Sequence, residues 1–344
     1  MMFIVFTTAR CNLNCIYCGG LEESVMPMEI TYSLDDLVNF IESDKNPSVA
    51  FYGGEPLLNV EFVKKVMDKI NAEHFVLQTN GLLLKKLGKD YLKRFSTILV
   101  SIDGRKSVTE FYKGRIYDKI LENVNWLRKF YEGELIARMV ASDKTDIYLD
   151  VKHLLGLNLF SRIHWQIDAI WGELRKESFE MWSEKYKLDL GRLINELKEK
   201  PEDFFRIVPF AGVLSGLEHG NLLKPPCGSG SESFAITTDG RVVACPVCSE
   251  LEWNNVGTIY DDPKNLRKVE PVEPCLSCDL FDVCGSRCLF SNREWLWGEW
   301  GFKKLCELTR ALVNELEKVR EELKEKGYDI PLYPPYLNTT EIIP

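Results

Sequence analysis

The sequence has no long hydrophobic run. None of its 344 residues fall in a stretch approaching the roughly 18 consecutive apolar residues that a membrane-spanning helix needs. The apolar residues 1–9 form a short segment with no basic region before it, and they lead directly into a cysteine loop. This segment is therefore predicted to be a β-strand and not a signal peptide. Together these absences predict a cytoplasmic protein with no membrane partner.

Excess positive charge is also missing. There are 43 Lys and Arg residues against 52 Asp and Glu, so the net charge is −9, which offers no basic surface to nucleic acid. Glutamine occurs only at Gln78 and Gln166 while Lys, Glu and Arg are abundant, a thermophile-like bias. The few histidines have no metal-ligand spacing and are predicted to be structural. They are His74, His153, His164 and His219.

Cysteine, in contrast, is abundant. In a reducing compartment the 11 cysteines are predicted to bind metal and not to form disulfides. Cys11, Cys15 and Cys18 have the spacing CxxxCxxC in the loop after the first predicted strand. Three thiolates without a fourth ligand nearby suit a [4Fe–4S] cluster that keeps one iron open. A structural zinc site normally has four ligands, and an odd number of cysteines does not pair into disulfides.

This loop resembles the signature of the radical S-adenosylmethionine (radical SAM) enzymes. The resemblance includes Tyr17 just before the last cysteine and the preceding residues 7–10 (TTAR). In that family SAM chelates the open iron, and one electron cleaves its sulfonium to give a 5′-deoxyadenosyl radical. The resemblance implies that Cys11, Cys15 and Cys18 hold a [4Fe–4S] cluster and that Tyr17 lies at the cofactor site. It also implies an electron donor such as flavodoxin or ferredoxin.

The first half of the chain alternates short apolar runs with stretches of helical periodicity. This pattern predicts an α/β fold with a parallel sheet and right-handed crossovers. Six units are fewer than the eight of a closed barrel, and the resemblance implies the partial (β/α)6 barrel of the family. The predicted strands are Met2–Thr7, Ser48–Tyr52, His74–Thr79, Thr97–Ile102, Leu135–Ala141 and Ser161–Ile167. Ser33 is predicted to cap a helix over about 34–41, and Asn59 a helix that runs to about residue 71.

Polar motifs follow several of these strands, at the edge where a barrel carries its active site. Gly53, Gly54, Glu55 and Pro56 come after the second strand and match the GGEP motif of the family. Such a sequence alone is more often a plain turn. Behind this cysteine loop, the match implies that the motif binds SAM and that Glu55 meets its methionyl ammonium group.

The next strand ends supply further candidates. Gln78 and Asn80 are expected to line the pocket, and Ser101 and Asp103 match residues that contact the SAM ribose in relatives. For the SAM carboxylate, relatives often place an arginine in a Tyr-Arg-Gly setting. The candidates here are Lys113, which occupies that position, Arg115 and Arg138, and each is equally compatible with a solvated surface charge.

Beyond the sixth strand the alternation stops. Residues 173–226 are predicted to form a helical connector, with an amphipathic helix over 177–200 and a second over 202–217 that is broken or kinked at Pro209. The predicted domains are the barrel over 1–172, this connector, a cysteine-rich domain over 227–310, and a last segment over 311–344. That segment ends in a Pro-rich tail, 330–344, expected to extend along the surface.

The cysteine-rich domain carries a second motif. From Cys275 the sequence reads Cx2Cx5Cx3C, and Thr238–Arg241 is a predicted hairpin turn whose Gly240 precedes Cys245 with Gx4C spacing. This arrangement matches the SPASM module, which extends peptide-modifying radical SAM enzymes and holds two auxiliary clusters. The match assigns one set of ligands to Cys275, Cys278, Cys284 and Cys306. It assigns the other set to Cys227, Cys245 and Cys288, with Cys248 as the remaining cysteine.

Two alternatives stay open in this domain. Either Cys248 closes the second auxiliary cluster, or one iron stays open for substrate. A pair of zinc sites is the other interpretation, because Cx2C pairs also occur in zinc ribbons.

The resemblance implies oxidative modification of a peptide or protein, such as cross-link formation. The first strand begins at residue 2, so peptide recognition is expected to use a separate leader-binding protein, the connector helices, or no leader. Pro246 stands where sulfatase-maturing relatives have an aspartate, which counts against sulfatase maturation. The alternatives are dehydrogenation or rearrangement of a small metabolite, and a non-enzymatic iron–sulfur or zinc-binding scaffold.

Overall fold

A computed structural model describes residues 1–168, 176–220, 223–333 and 336–344. Within these residues, the strands form one 9-stranded sheet in the order β6-β5-β4-β3-β2-β1-β7-β8-β9. The strands are β1 (Met2–Phe6), β2 (Ser48–Tyr52), β3 (His74–Thr79), β4 (Thr97–Ser101), β5 (Glu134–Ala141), β6 (Arg162–Ile167), β7 (Ser233–Ile236), β8 (Arg241–Val243) and β9 (Asn255–Thr258). The predicted domain boundary at residue 172 lies outside the described residues, and the division into domains stays a prediction.

The first six strands are parallel neighbours in chain order, which confirms the partial barrel. The helices of this half are α1 (Leu34–Glu42), α2 (Val60–Lys69), α3 (Leu84–Leu87), α4 (Lys89–Leu92), α5 (Lys106–Lys113), α6 (Tyr117–Arg128) and α7 (Ile147–Gly156). Because all six strands point the same way, their carboxyl ends and the loops after them meet at one edge.

Strand β1 is buried on both faces. Phe3 and Val5 pack in the large core between sheet and helices, while Met2, Ile4 and Phe6 pack in a second apolar cluster on the opposite, concave face. We call the space on this concave face the lumen. Burial on both faces explains why β1 is an uninterrupted apolar run without polar alternation.

Local sequence predicted the starts of α1 and α2 but only one of their two capping hydrogen bonds. The Ser33 side chain accepts a hydrogen bond from the Asp36 amide at 3.1 Å and caps α1, as predicted. Asn59 occupies the predicted N-cap position of α2, but its side chain makes no capping hydrogen bond. Its amide nitrogen donates to the Thr7 carbonyl at 2.9 Å instead, which ties the end of β1 to the loop after β2.

The second half contributes six more helices in the described residues. They are α8 (Lys176–Leu197), α9 (Pro201–Phe204), α10 (Val208–His219), α11 (Phe281–Cys284), α12 (Leu289–Glu294) and α13 (Gly298–Glu325). The helical stretch predicted over 202–217 is broken, but the break lies between α9 and α10, at residues 205–207, and not at Pro209. Pro209 lies in the first turn of α10, where its missing N–H costs nothing. None of the described helices is both long and apolar enough to cross a membrane.

The predicted hairpin at Thr238–Arg241 is confirmed, and it belongs to the main sheet. Strands β7 and β8 are antiparallel, and β7 pairs in parallel with β1, with Met2 opposite Ser233. Strand β9 continues the sheet beyond β8. The cysteines that follow β8 are therefore attached directly to the barrel.

The prediction of a surface tail is wrong for residues 336–344. Ile342 is 2% exposed and Ile343 is 0% exposed. Residues 336–344, called the tail segment below, enter the lumen. The physical reason is hydrophobic, because two adjacent isoleucines gain more from burial than an extended surface segment allows.

Candidate active site at the cysteine loop

The loop with Cys11, Cys15 and Cys18 follows β1 at the carboxyl edge of the sheet and is held by α5. The Ile16 amide donates to the Tyr112 carbonyl at 2.9 Å, and the Tyr17 and Tyr112 ring centroids are 5.1 Å apart. All eleven cysteines lie in described residues and are free thiols. Cys11 and Cys18 are exposed and Cys15 is half-buried, so the loop presents its sulfurs at the mouth of the lumen.

Tyr17 anchors this loop to β4 and α5. Its hydroxyl donates to an Asp103 carboxylate oxygen at 2.8 Å, and it accepts a hydrogen bond from Lys113. Lys113 also lies 3.4 Å from Asp103, whose other oxygen accepts from the Val140 amide at 3.0 Å. Burial, followed by the charge of Asp103, raises the pKa of Tyr17 well above its ordinary value. Tyr17, Asp103 and Lys113 thus have hydrogen-bond or ion-pair partners within the protein, and their contacts with SAM stay predictions.

Glu55 is buried beneath the loop with 1% of its surface exposed. One carboxylate oxygen accepts from the Leu57 amide at 3.0 Å and the Thr79 hydroxyl at 2.8 Å. The other accepts from the Asn80 amide at 2.8 Å. Burial raises the pKa of Glu55, and these hydrogen bonds offset part of that rise. The side chain therefore joins the GGEP loop to the end of β3, and its contact with the SAM ammonium stays a prediction.

Gly53 and Gly54 allow two loops to touch. A Cβ atom on Gly53, whose φ is +128°, would lie 2.2 Å from the Thr8 carbonyl oxygen. A Cβ atom on Gly54 would lie 2.2 Å from the Arg10 carbonyl oxygen. The Gly54 and Glu55 amides donate to those carbonyls at 3.1 and 2.9 Å. Only glycines permit this approach, and it brings the GGEP motif against the cysteine loop.

Polar residues line the lumen beside the apolar cluster. Gln78 and Ser101 lie on the same strand faces as Val76 and Leu99, which belong to the lumen cluster. Arg115 is exposed on the surface. Arg138 lies inside, and its guanidinium is 3.1 Å from the carboxylate of Glu341. Of the three candidate cations for SAM, two already have carboxylate partners within the protein.

Sequence reasoning missed three lumen residues, Tyr52, His164 and Glu341. Burial raises the pKa of Tyr52 to about 12, and the charges that act on it include Arg138, Cys18, Glu341 and Cys245. Tyr52 therefore lies between the first cysteine loop and the second cysteine group. Period-two alternation along β2 would have placed Tyr52 on the lumen face with Ala50, but nothing local indicates Glu341.

The cysteines of the second half act on one another electrostatically in two groups. Hydrogen bonding with Cys248, then burial, raises the pKa of Cys245, and the charge of Cys245 acts on both Cys227 and Cys288. In the other set, burial and then Cys275, Cys306 and Cys278 raise the pKa of Cys284 to about 12. These influences run within the two sets that the SPASM resemblance implies, and the assignment of the cluster ligands stays a prediction.

The donor chemistry of the three groups suits iron–sulfur clusters. Within the described ranges, no three His, Cys, Asp or Glu side chains are close enough to hold a single metal ion. Burial raises the pKa of the Cys11 and Cys15 thiols, and Lys113 offsets part of this at Cys15. Thiols in such surroundings give up their protons when they bind a metal centre.

Comparison with known proteins identifies the first half of the chain. Residues 5–145 match the family model of the Radical SAM superfamily, so this chain carries a radical SAM domain. This confirms the family suggested by the cysteine loop and the GGEP motif.

Individual relatives extend the similarity to different degrees. An uncharacterized protein of Methanocaldococcus jannaschii is 31% identical over 108 residues, 29% of this chain and 38% of that protein. The cysteine-type anaerobic sulfatase-maturating enzyme of Clostridium novyi (strain NT) is 24% identical over 330 residues, 83% of this chain and 87% of that enzyme. The solved structure of native anSMEcpe with bound AdoMet and Cp18Cys peptide matches with a TM-score of 0.69 and 20% identity. It covers 94% of this chain and 99% of that chain, and it shows the shared fold.

Proposed function

We propose that this protein reductively cleaves SAM to a 5′-deoxyadenosyl radical and oxidatively modifies a peptide or protein substrate, for example by forming a cross-link. The observation that carries the proposal is the loop of Cys11, Cys15 and Cys18, fixed over the mouth of the lumen and packed against the GGEP loop. When bound, the [4Fe–4S] cluster and SAM supply the electron and the radical.

The residues of the chain would position the cluster and SAM and would shield the reaction from water. Cys11, Cys15 and Cys18 would ligate the first cluster, and the loop is held by Tyr17 through Asp103 and Lys113. The GGEP loop and the strand ends would bind SAM beside it. The polar lumen would keep the substrate away from bulk water, which protects a radical from side reactions.

Relatives support a peptide substrate. One of them is a sulfatase-maturating enzyme, and another was solved with a bound peptide. A net oxidation also needs an acceptor for the product electron, and the two further cysteine sets could each hold an auxiliary cluster for this role. Pro246, in place of an aspartate, favours a modification other than sulfatase maturation. An electron donor such as flavodoxin or ferredoxin and a separate leader-binding protein belong to the same proposal.

One observation favours the second candidate, a radical reaction on a small metabolite. The tail segment fills part of the lumen with Leu337, which packs against the lumen cluster, and with Glu341, which is bound to Arg138. A smaller chamber would admit a metabolite or a single peptide side chain more readily than a folded loop.

The test is anaerobic reconstitution followed by iron and sulfide analysis and by measurement of 5′-deoxyadenosine released from SAM under strong reductant. We expect about twelve irons per chain, from three [4Fe–4S] clusters, together with SAM cleavage. The matched variant Cys15→Ser should lose about four irons and all cleavage while its other clusters remain. A protein with intact clusters that binds SAM and releases no 5′-deoxyadenosine would contradict the proposal. Candidate peptides can then be screened for the loss of a pair of hydrogens by mass spectrometry.

A further inference from the structure

The tail segment crosses the amino-terminal end of the lumen. The ring of Tyr336 stacks on His74, with centroids 3.9 Å apart, and its hydroxyl bonds the Thr97 hydroxyl. The side-chain amide nitrogen of Asn338 donates to a carboxylate oxygen of Glu134 at 3.0 Å. His74, Thr97 and Glu134 are the first residues of β3, β4 and β5. The segment thus enters the lumen at the end opposite the first cysteine loop.

Glu341 then holds the segment halfway along the strands. Its carboxylate lies 3.1 Å from an Arg138 guanidinium nitrogen, and its backbone carbonyl is 2.6 Å from Nε2 of His164. The same guanidinium nitrogen lies 3.1 Å from Nδ1 of His164. Arg138 and Glu341 keep only 16% and 18% of their side-chain surface exposed, and His164 keeps none. The three residues form one connected group inside the barrel, which we call the lumen triad.

The end of the segment is packed, not loosely inserted. Ile342 and Ile343 are buried, and Ile342 lies directly against Gly212 of α10, where an added Cβ would come within 2.3 Å of the isoleucine. Arg287, itself 5% exposed, donates to the Pro344 carbonyl. Displacing the segment would expose both isoleucines and leave the Arg138 charge buried without a partner. A fixed position is therefore favoured over a readily displaced one.

The charge of Glu341 also reaches the auxiliary cysteines. Burial is the main cause of the raised pKa of Cys227 and Cys288, and hydrogen bonding with Cys248 is the main cause at Cys245. The charge of Glu341 adds to the rise at all three thiols. It acts on Tyr52 as well, which in turn is influenced by Cys18 of the first loop. Leu337 of the same segment lies against Gly228, the residue after Cys227, so the tail segment borders this cysteine set.

We propose that the tail segment is a fixed wall of the reaction chamber, and that Glu341 is the positioning residue that commits Arg138 to this wall and away from the SAM carboxylate. The role of the lumen as a reaction chamber rests on the function proposed above, whereas the position of the tail segment within it does not. A tail that blocks the chamber until a substrate displaces it is the competing arrangement, and the test separates the two.

The first measurement is hydrogen–deuterium exchange of the reconstituted full chain, with and without SAM. A fixed wall predicts slow exchange of the 341–343 amides in both conditions. Arg138→Met should speed this exchange by at least about tenfold, because the ion pair that holds the segment is lost. Arg192→Met removes the same charge from an exposed position of α8, a residue with no role in the site, and should leave the exchange unchanged. We expect both variants to bind SAM within about twofold of the parent affinity.

Glu341→Gln removes the charge of the carboxylate without a large change of side-chain shape. It provides a second test of the proposal if Arg138→Met does not fold. Removing a negative charge beside the Cys227, Cys245 and Cys288 set should raise the midpoint potential of one auxiliary cluster and leave the other unchanged. Glu341→Asp, which keeps the charge, should return the potential toward the parent value. A merely structural role for Glu341 would shift neither potential.

Three results would overturn the proposal. Exchange of the 341–343 amides as fast as in an unfolded segment, or exchange that becomes fast on addition of SAM, would indicate a displaceable plug. Arg138→Met could also weaken SAM binding by about tenfold while the tail stays protected, which would assign Arg138 to SAM. A protected tail in a protein that never cleaves SAM would instead refute the proposed function and leave the wall in place.

Discussion

His164 is a neutral histidine in the middle of the lumen triad. It is fully buried, and burial together with the neighbouring Arg138 charge lowers its pKa to about 3. An unfolded chain would bind a proton at its ordinary pKa of about 6.5. Between these two values the unfolded state carries more protons than the folded state. Stability therefore rises with pH across this window and falls as the pH drops through it.

This difference predicts a pH-dependent loss of stability that is specific to one residue. From about pH 7 to about pH 5, His164 should reduce the free energy of unfolding by about 2 kcal/mol, because only the unfolded state is protonated there. Urea unfolding of the parent and of His164→Gln at both pH values measures it. His164→Gln has no titrating group at this position, so its free energy of unfolding should fall by about 2 kcal/mol less than that of the parent between the two pH values. Equal losses in the two proteins would show that His164 is protonated in the fold.

At the residue scale, sequence predicted the groups that are close in the chain to a motif. Cys11, Cys15, Cys18 and Glu55 lie where the motifs placed them, at the carboxyl edge of the sheet. The three hydrogen bonds of Glu55 could be foreseen only in part, since two of their donors come from the next strand end. Glu341 could not be foreseen, because its partner Arg138 is 203 residues away in the chain and no local pattern links them.

At the element scale, the hydrogen bonds at two helix starts have different causes, one local in sequence and one tertiary. Ser33 caps α1 because its neighbours in sequence provide the amide that it accepts from. Asn59 has the same capping ability, but the Thr7 carbonyl at the end of β1 takes its amide. The alternating strands and helices follow from periodicity, whereas the choice of hydrogen-bond partner depends on which elements meet in space.

Two glycines within helices provide an element-scale prediction. Gly212 in α10 faces Ile342 of the tail segment so closely that an added Cβ would lie 2.3 Å from it. Gly191 in α8 has no atom within 4 Å of the same position. Alanine at Gly191 should stabilise the protein by about 0.5–1 kcal/mol, which is the usual helix preference. Alanine at Gly212 should destabilise it by about 1–3 kcal/mol, because the overlap forces the tail segment to move.

Thermal unfolding of Gly191→Ala and Gly212→Ala measures these opposite effects in one experiment. The pair controls for helix propensity, since both substitutions are glycine to alanine within an α-helix. Faster exchange of the 341–343 amides in Gly212→Ala alone would link the loss of stability to the tail segment. If both substitutions were stabilising, Ile342 would not be packed against α10.

At the scale of the whole molecule, one sheet connects the two halves of the chain. The hairpin of β7 and β8 was predicted from its turn, but its pairing with β1 was not, because β1 has two edges and sequence does not show which strand fills the second. This pairing carries Cys245, just after β8, to the side of the lumen. The first cysteine loop and the auxiliary cysteines are therefore positioned by neighbouring strands, which suits transfer of an electron between them.

The turn from Cys245 to Cys248 addresses the alternative that sequence left open. Asn254 is fully buried, and its amide nitrogen donates to the carbonyls of both Cys245 and Cys248 at 2.8 Å. Its side-chain oxygen accepts from the Cys245 amide at 2.8 Å. This clamp holds the two cysteines of the turn together, and Cys288 packs against them. The arrangement favours Cys248 as the fourth ligand of this cluster over an iron left open.

The iron content of single variants tests that assignment. Cys248→Ala should lower the reconstituted iron by about four per chain if Cys248 is required to hold its cluster. Cys306→Ala is the matched control in the other set and should also remove about four, and the double variant about eight, since the two sets share no ligand. Full iron in Cys248→Ala, with Cys306→Ala still deficient, would instead mean that three cysteines suffice and that one iron is free to bind substrate. Because the clamp by Asn254 does not involve the Cys248 sulfur, loss of iron in this variant would reflect the missing ligand and not a collapsed turn.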